Sequence, residues 1–225
     1  MDRSVLRWGG LAGVLGGIVF IVIFVVVIVF VGSDLDPGAE ELVQRFPDIR
    51  AARSVENGLY LLVLILWVTH FLALYRALRE TRLASALFGS VLGIVGLGVL
   101  AAGALPHVAQ LPISNLYHAA DAPAANQTTL ALVWQVTQGI FDALLIAGLG
   151  VLPIALLALG VAMLGTPAFG KLFGGVSIGL GAIGLLSAIV LLIDPLSPIA
   201  AVGIFALIIF NLVIGWKVYT LSRAA

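Results

Sequence analysis

Residues 9–32 of the chain, GGLAGVLGGIVFIVIFVVVIVFVG, contain no charged side chain. A helix rises about 1.5 Å per residue and the hydrocarbon core of a bilayer is about 30 Å thick, so a run of this length predicts a membrane-spanning helix. Two arginines, Arg3 and Arg7, precede the run, as they would in a secretion signal. The run is longer than the apolar part of a signal peptide and lacks a cleavage-site pattern, so we interpret it as the first span.

The composition of the whole chain agrees with a membrane location. Hydrophobic residues make up 62% of the 225 positions and charged residues 10%, which is too little charge to cover the surface of a water-soluble domain. The predicted partner of the apolar surface is therefore membrane lipid. Eleven basic and eleven acidic residues cancel, so there is no net field to attract nucleic acid, and we predict no nucleic-acid partner.

Further apolar runs predict an all-α fold, a polytopic transmembrane bundle of six helices that forms a single domain over residues 1–225. Each run is long enough to cross the hydrocarbon core as a helix. The predicted spans cover about residues 9–32, 57–79, 83–105, 129–164, 172–193 and 198–220.

The distribution of lysine and arginine predicts the orientation of this bundle, because positively charged connections tend to stay in the cytoplasm. The two chain ends and the connections on their side hold eight of the eleven basic residues, and the other side holds three, diluted by acids. We therefore predict that both termini are cytoplasmic, N-in and C-in. The long connections 33–56 and 106–128 are then on the outside.

The two outer connections differ in their patterns. Residues 33–56 contain a helical pattern from Ala39 to Phe46 that is interrupted at Pro47, which predicts an outer helical cap. Residues 106–128 contain three prolines among polar side chains. This second pattern predicts an irregular, proline-rich outer lid loop with one short helix.

Small residues four positions apart mark helix contacts in a bilayer, because close backbone approach replaces the hydrophobic effect as the attraction between helices. Three spans show this spacing. In the fifth span the predicted contact residues are Gly175 and Gly179, with Ser177 and Gly181 on a neighbouring face. The other two sets are Gly9, Gly13 and Gly17 in the first span and Ser85, Gly89 and Gly93 in the third.

Polar side chains inside the predicted spans are the candidate functional residues, because an ionisable group in hydrocarbon is costly unless it is paired or hydrated. His70, Asp142 and Asn211 lie at similar predicted depths in the second, fourth and sixth spans, which places them to meet in a ligand-binding site. A carboxylate beside an imidazole fixes its tautomer and stabilises its protonated form. The other predicted ligand-binding residues share a helix face with one of these three or line the approach from outside, and they are Glu56, Trp67, Gln135 and Gln138.

A structural role for the same residues stays open at this point. In this alternative, His70 and Asp142 form a structural pair, or each forms a hydrogen bond to a separate backbone carbonyl. The histidines follow no metal-ligand spacing and cysteine is absent, so we predict no metal site. No phosphate-binding glycine loop or serine-nucleophile motif occurs, so we predict no cofactor, and catalytic residues stay unassigned.

Several segments of the chain are similar to one known family. Residues 72–79, LALYRALR, close the second span, and residues 211–217, NLVIGWK, lie near the end of the sixth. Together with the basic start and the glycine-rich first and fifth spans, they resemble an uncharacterised bacterial family of six-helix membrane proteins, the domain of unknown function forty-three eighty-six. The resemblance implies the six-helix topology and a location in the bacterial cytoplasmic membrane, and it implies no catalytic residue.

Three functions are consistent with these features. The leading hypothesis is a multi-pass membrane protein that binds or transports a small or lipidic ligand through an outward-opening pocket. The second is an intramembrane enzyme acting on lipid, with Asp142 and His70 as acid and base. The third is a structural or partner subunit of a membrane complex. The oligomeric state and any protein partner stay open.

Overall fold

The computed structural model describes residues 3–32, 38–120, 123–195 and 197–224. These residues form six long helices, and within these ranges there is no β-strand. The first helix ends in a π-helical turn, Val27–Val31. The helices are α1 (Arg3–Val26), α2 (Ala39–Leu78), α3 (Leu83–Tyr117), α4 (Ala124–Leu164), α5 (Gly170–Ile193) and α6 (Ile199–Ala224).

All six helices are long and apolar enough to cross a membrane. The predicted all-α bundle is therefore confirmed, and the chain is a multi-pass membrane protein. Its two ends lie together, since Arg3 and Arg7 line the same hollow as Tyr219 and Arg223. We call this end of the bundle the terminal end and the opposite end, where α2 begins, the cap end. The assignment of the terminal end to the cytoplasm stays a prediction.

The sequence pattern predicts a break at Pro47, but this break does not occur. α2 begins at Ala39 and continues through this proline. Proline lacks the N–H that would bond the carbonyl four residues earlier, which costs about 3 kcal/mol in a helix interior. Burying a large apolar side chain contributes about 1.5–3 kcal/mol, so three such side chains around the proline outweigh this cost. The predicted cap is thus the first part of α2, apart from residues 33–37, which lie outside the described residues. The three buried side chains are Val43, Phe46 and Ile49.

The prediction of an irregular lid over residues 106–128 is wrong. α3 continues through Pro106 and Pro112 to Tyr117, and α4 already begins at Ala124. The helix continues because the residues beyond the prolines reach an apolar core that an irregular loop would not fill. The short connection between the two helices includes residues 121 and 122, which the structure does not describe.

The cap end has its own apolar core, which explains why three helices extend beyond their bilayer-sized runs. Trp134 of α4 packs edge-on against Phe46 of α2, with 5.0 Å between the ring centroids. Gln44 Nε2 of α2 donates to the Tyr117 hydroxyl of α3 at 3.2 Å. We call this core the cap cluster, and its buried members are Val31, Val43, Phe46, Ile49, Ile113, Tyr117, Ala131 and Trp134.

α1 packs against both α2 and α6, and it does so through glycine. A Cβ atom added at Gly13 would lie 2.8 Å from Nδ1 of His70 in α2 and 3.1 Å from the Asn211 carbonyl oxygen of α6. A Cβ atom added at Gly10 would lie closer still to the backbone nitrogen of Tyr219 in α6. These contacts leave no space for a side chain, which confirms the predicted glycine packing of the first span.

α5 packs against α4 through the second of the two predicted tracks, Ser177 and Gly181, and not through Gly175 and Gly179. Cβ atoms added at Gly175 and Gly179 would meet no described atom within 4 Å. On the neighbouring face, an added Cβ at Gly181 would lie 2.9 Å from a backbone oxygen of α4, and Ser177 Oγ donates to the carbonyl of Leu156 at 2.8 Å. Spacing alone does not distinguish two adjacent tracks of small residues, whereas the serine hydrogen bond does.

Two loops meet at the terminal end. The Thr81 and Thr166 hydroxyls are hydrogen-bonded at 2.6 Å and join the α2–α3 loop to the α4–α5 loop. Nearby, Arg76 Nη1 donates to Glu80 Oε1 at 2.8 Å, and this hydrogen bond and the guanidinium charge lower the pKa of the exposed Glu80 carboxyl. An exposed ion pair of this kind contributes little to stability. The hydrogen bond between Thr81 and Thr166 is therefore the main link between the two loops.

We expect Gly181→Ala to destabilise the protein, because the new methyl group would press against Leu157 and a backbone oxygen of α4, both 2.9 Å away. Overpacking of this kind costs about 1–3 kcal/mol. Gly179→Ala is the matched control, since it meets open space and should change stability by less than about 0.5 kcal/mol. Thermal unfolding in detergent measures both variants, and equal midpoints would contradict the packing face.

Candidate functional site

His70 is completely buried in α2. Its Nδ1 lies 3.0 Å from the carbonyl oxygen of Gly9 in α1. A carbonyl oxygen only accepts hydrogen bonds, so this contact assigns a proton to Nδ1, and in the neutral form of the ring Nε2 then carries the lone pair. Within the described ranges Nε2 has no hydrogen-bond partner. His70 is therefore held by the backbone of α1.

Asn211 of α6 is also completely buried. Its Nδ2 donates to the carbonyl of Leu207, one turn earlier in the same helix, at 2.9 Å. Its Oδ1 has no hydrogen-bond partner in the part of the chain that the structure describes. The ring of His70 and the main chain of Asn211 lie side by side against Gly13, so the structure brings these two predicted site residues to one level of α1.

Asp142 lies elsewhere in the bundle. It is partly buried on α4, and its Oδ1 accepts a hydrogen bond from Gln138 Nε2 at 3.0 Å. Gln138 Oε1 accepts in turn from Gln110 Nε2 of α3 at 3.3 Å, so these polar groups join α3 to α4. No hydrogen bond between Asp142 and His70 is present among the described residues, because the protonated nitrogen of His70 faces α1. The structure does not bring the acid to the imidazole.

The other predicted site residues have different surroundings. Trp67 is buried and stacks on Phe20 of α1, with 5.4 Å between the ring centroids and 8° between the planes. Glu56 Oε2 accepts from Arg53 Nη1 at 2.8 Å. Gln135 is exposed on α4. Of the predicted set, Trp67 and Glu56 line the cavity described next.

A cavity of about 200 Å³ lies between α1, α2, α3, α4 and α6. Trp67 lines the part of it nearer the terminal end, eleven residues beyond Glu56 on α2. Its indole Nε1 lies against Gly16 of α1 and has no hydrogen-bond partner among the described residues. The polar lining groups come from the cap side, where Glu56, Asn57 and His107 are found with Tyr60. The rest of the wall is aliphatic or aromatic and is formed by Phe20, Ile23, Phe24, Val27, Leu100, Phe141, Leu145, Leu149, Ile204 and Leu207.

Two residues of this cavity, Asn57 and His107, were not predicted as site residues. His107 Nδ1 donates to Asn57 Oδ1 at 3.3 Å, and its ring stacks on Phe141 with 4.1 Å between the centroids. The sequence pattern predicts an irregular lid at His107, because this residue directly follows Pro106. A signal was available, since buried residues continue at helical spacing across both prolines, and these are Leu97, Leu100, Ala104, Gln110, Ile113 and Tyr117.

In comparisons with known proteins, no family model, no curated protein and no solved structure matches this chain. The resemblance to the six-helix family therefore stays a prediction. In the described ranges, no three histidine or carboxylate side chains are grouped as metal ligands would be. What the site can bind follows from its own geometry.

The contact with Gly9 predicts the tautomer of His70. We expect the proton of the neutral ring on Nδ1, because the Gly9 carbonyl oxygen lies 3.0 Å from that nitrogen and accepts only. Nitrogen-15 chemical shifts of histidine-labelled protein distinguish the two tautomers, and a His70→Gln variant assigns the signal by its loss. A His70 signal with the proton on Nε2 is incompatible with this contact.

Proposed function

We propose that this membrane protein binds a small lipidic ligand in the cavity between α1, α2, α3, α4 and α6, with access from the cap end. The observation that carries the proposal is the composition of the wall. It is apolar except for polar groups on the cap side, which is the distribution that an amphipathic molecule requires.

The wall favours a lipidic ligand over a polar solute. Nearer the terminal end, Phe20 and Trp67 present stacked rings, and polar contacts are available from Glu56, Asn57 and His107 on the cap side. The volume of about 200 Å³ is below the roughly 300–1,000 Å³ of sites for drug-sized ligands. The cavity therefore suits a small ligand or part of a single acyl chain rather than a complete phospholipid.

The other two functions receive less support from the geometry. An enzyme that uses Asp142 and His70 as acid and base needs these groups within reach of each other or of a shared substrate, and His70 is bonded instead to Gly9. For a structural subunit, no surface of the described residues indicates a particular partner. Ligand binding is therefore the function that we propose.

The location and family of the protein are part of the same proposal. We place it in the bacterial cytoplasmic membrane, with the cap end outside, because eight of the eleven basic residues lie on the other side. The segment LALYRALR, residues 72–79, supports membership of the domain of unknown function forty-three eighty-six.

The cavity can be tested through the fluorescence of Trp67. In a background with Trp8, Trp134 and Trp216 changed to Phe, Trp67 is the only tryptophan left of four. We expect a dibrominated long-chain alcohol, which is uncharged, to quench Trp67 saturably in detergent, because bromine atoms in the cavity would lie beside the indole. Quenching that rises linearly without saturation would contradict a defined site.

Two variants of α6 separate binding in the cavity from contact with detergent. Ile204→Phe adds volume to the cavity wall, and we expect it to weaken binding of the alcohol at least tenfold, which corresponds to about 1.4 kcal/mol. Ile209→Phe is the matched control, since Ile209 is exposed on the same helix, and its affinity should equal that of the parent. Equal affinities for both variants would exclude the cavity as the binding site.

A further inference from the structure

A groove follows the outer surface between α2 and α3 at the cap end. It consists of two adjoining hollows of about 310 and 280 Å³. Phe46, Arg50 and Leu111 line both hollows, so the two form one continuous feature. We call this feature the α2–α3 groove.

The charged groups of the α2–α3 groove are arginines. Arg50 lines both hollows and Arg53 lines one of them, and no carboxylate lines either hollow in the described part of the chain. Arg53 is paired with Glu56 at 2.8 Å. The exposed guanidinium of Arg50 has no ion pair among the described residues. The groove therefore offers one uncompensated cation to an anionic group, and guanidinium binds phosphate well because its N–H groups match two phosphate oxygens.

The groove changes from polar to apolar in the direction of the bilayer. Counting about 20 residues back from Arg76 puts the hydrocarbon boundary of α2 near Glu56. Arg50 then lies about 9 Å outside this boundary, in or just above the headgroup layer. At and below the boundary, the groove is lined by Gly58, Leu61 and Val108 together with the hydrogen-bonded pair Asn57 and His107. This order of a cation followed by an apolar surface matches a phosphate headgroup followed by an acyl chain.

The α2–α3 groove and the interior cavity share a wall. Asn57 and His107 line both of them and are hydrogen-bonded to each other at 3.3 Å. The ion pair between Arg53 and Glu56 also crosses the wall, because Arg53 lines the groove and Glu56 lines the cavity. Two polar contacts are therefore part of what separates the outside of the bundle from the apolar interior.

We propose that the α2–α3 groove binds an anionic phospholipid, with Arg50 holding the phosphate and one acyl chain passing the Asn57–His107 contact into the cavity. This inference rests on the proposed function, since it needs the cavity to accept a chain. It adds the class of the ligand, the residue that selects it and the side from which it enters. The apolar surface below Arg50 favours the lipid over a free phosphate ion.

The same Trp67-only protein tests the proposal with lipids that carry dibrominated chains. We expect phosphatidylglycerol to quench Trp67 at a concentration at least tenfold lower than phosphatidylcholine, because its net negative charge is not balanced by a choline group. Arg50→Gln should abolish this preference. Arg79→Gln is the matched control, since Arg79 is exposed at the opposite end of α2, and it should keep the preference.

A second pair of variants blocks the groove without changing charge. Gly58 lines the groove and Gly98 does not, and a Cβ added at either glycine meets no described atom within 4 Å. Because both glycines are also exposed, we expect both positions to accept phenylalanine without loss of the fold. We expect Gly58→Phe to weaken quenching by phosphatidylglycerol at least tenfold and Gly98→Phe to leave it unchanged.

The possible results separate this inference from the proposed function. If the brominated alcohol binds but Arg50→Gln keeps the preference for phosphatidylglycerol, or Gly58→Phe has no effect, the groove is not the lipid site while the cavity stands. If neither the alcohol nor either lipid quenches Trp67 saturably, both proposals fail. If glycerol phosphate without chains competes as well as the lipid does, the groove binds free phosphate and the lipid inference is overturned.

Discussion

The structure depends on the requirement that backbone N–H and C=O groups in hydrocarbon are satisfied within their own helix. Helices surrounded by lipid gain little by burying apolar side chains against one another, so close backbone approach provides much of the attraction. α1 approaches its neighbours closely in this way, because Gly10 contacts the backbone of Tyr219 and Gly13 lies against His70 and Asn211. The bundle around the cavity is thus held by glycine contacts, and the hydrogen bond of His70 to Gly9 adds to them.

The cavity lies where two kinds of core meet. The main core fills the bundle, and the cap cluster joins α2, α3 and α4 beyond it. Val27, in the π-helical turn after α1, packs against both cores and lines the cavity. The cap cluster stabilises the parts of α2, α3 and α4 that extend beyond the bilayer. As a result, the polar residues Asn57 and His107 lie on the cap side of the apolar cavity.

The sequence predicts the number and approximate position of the helices, because an apolar run of about 20 residues has few alternatives in a membrane. It does not predict where α3 ends, because the cost of Pro106 and Pro112 is local while the compensating burial of Ile113 and Tyr117 depends on other helices. His107 was overlooked for the same reason. The shared helix face of Trp67 and Glu56 follows from their spacing, and both line the cavity. The direction in which His70 points depends on α1 and is not readable from its own helix.

The walls of the cavity differ in the energy needed to move them. On the α1 side, Phe20 stacks on Trp67 and Gly16 lies against the same indole ring, so displacement requires a rearrangement of packed helices. On the α2–α3 side, the polar contacts are the partly exposed pair Arg53–Glu56 and the hydrogen bond between Asn57 and His107. A partly exposed ion pair contributes about 0–1 kcal/mol and a neutral hydrogen bond about 0.5–1.5 kcal/mol. Breaking both costs on the order of 0.5–2.5 kcal/mol, which permits an open state of roughly 1 to 30 per cent. The proposed passage between the membrane and the cavity would therefore require no disruption of the glycine contacts that hold the bundle together.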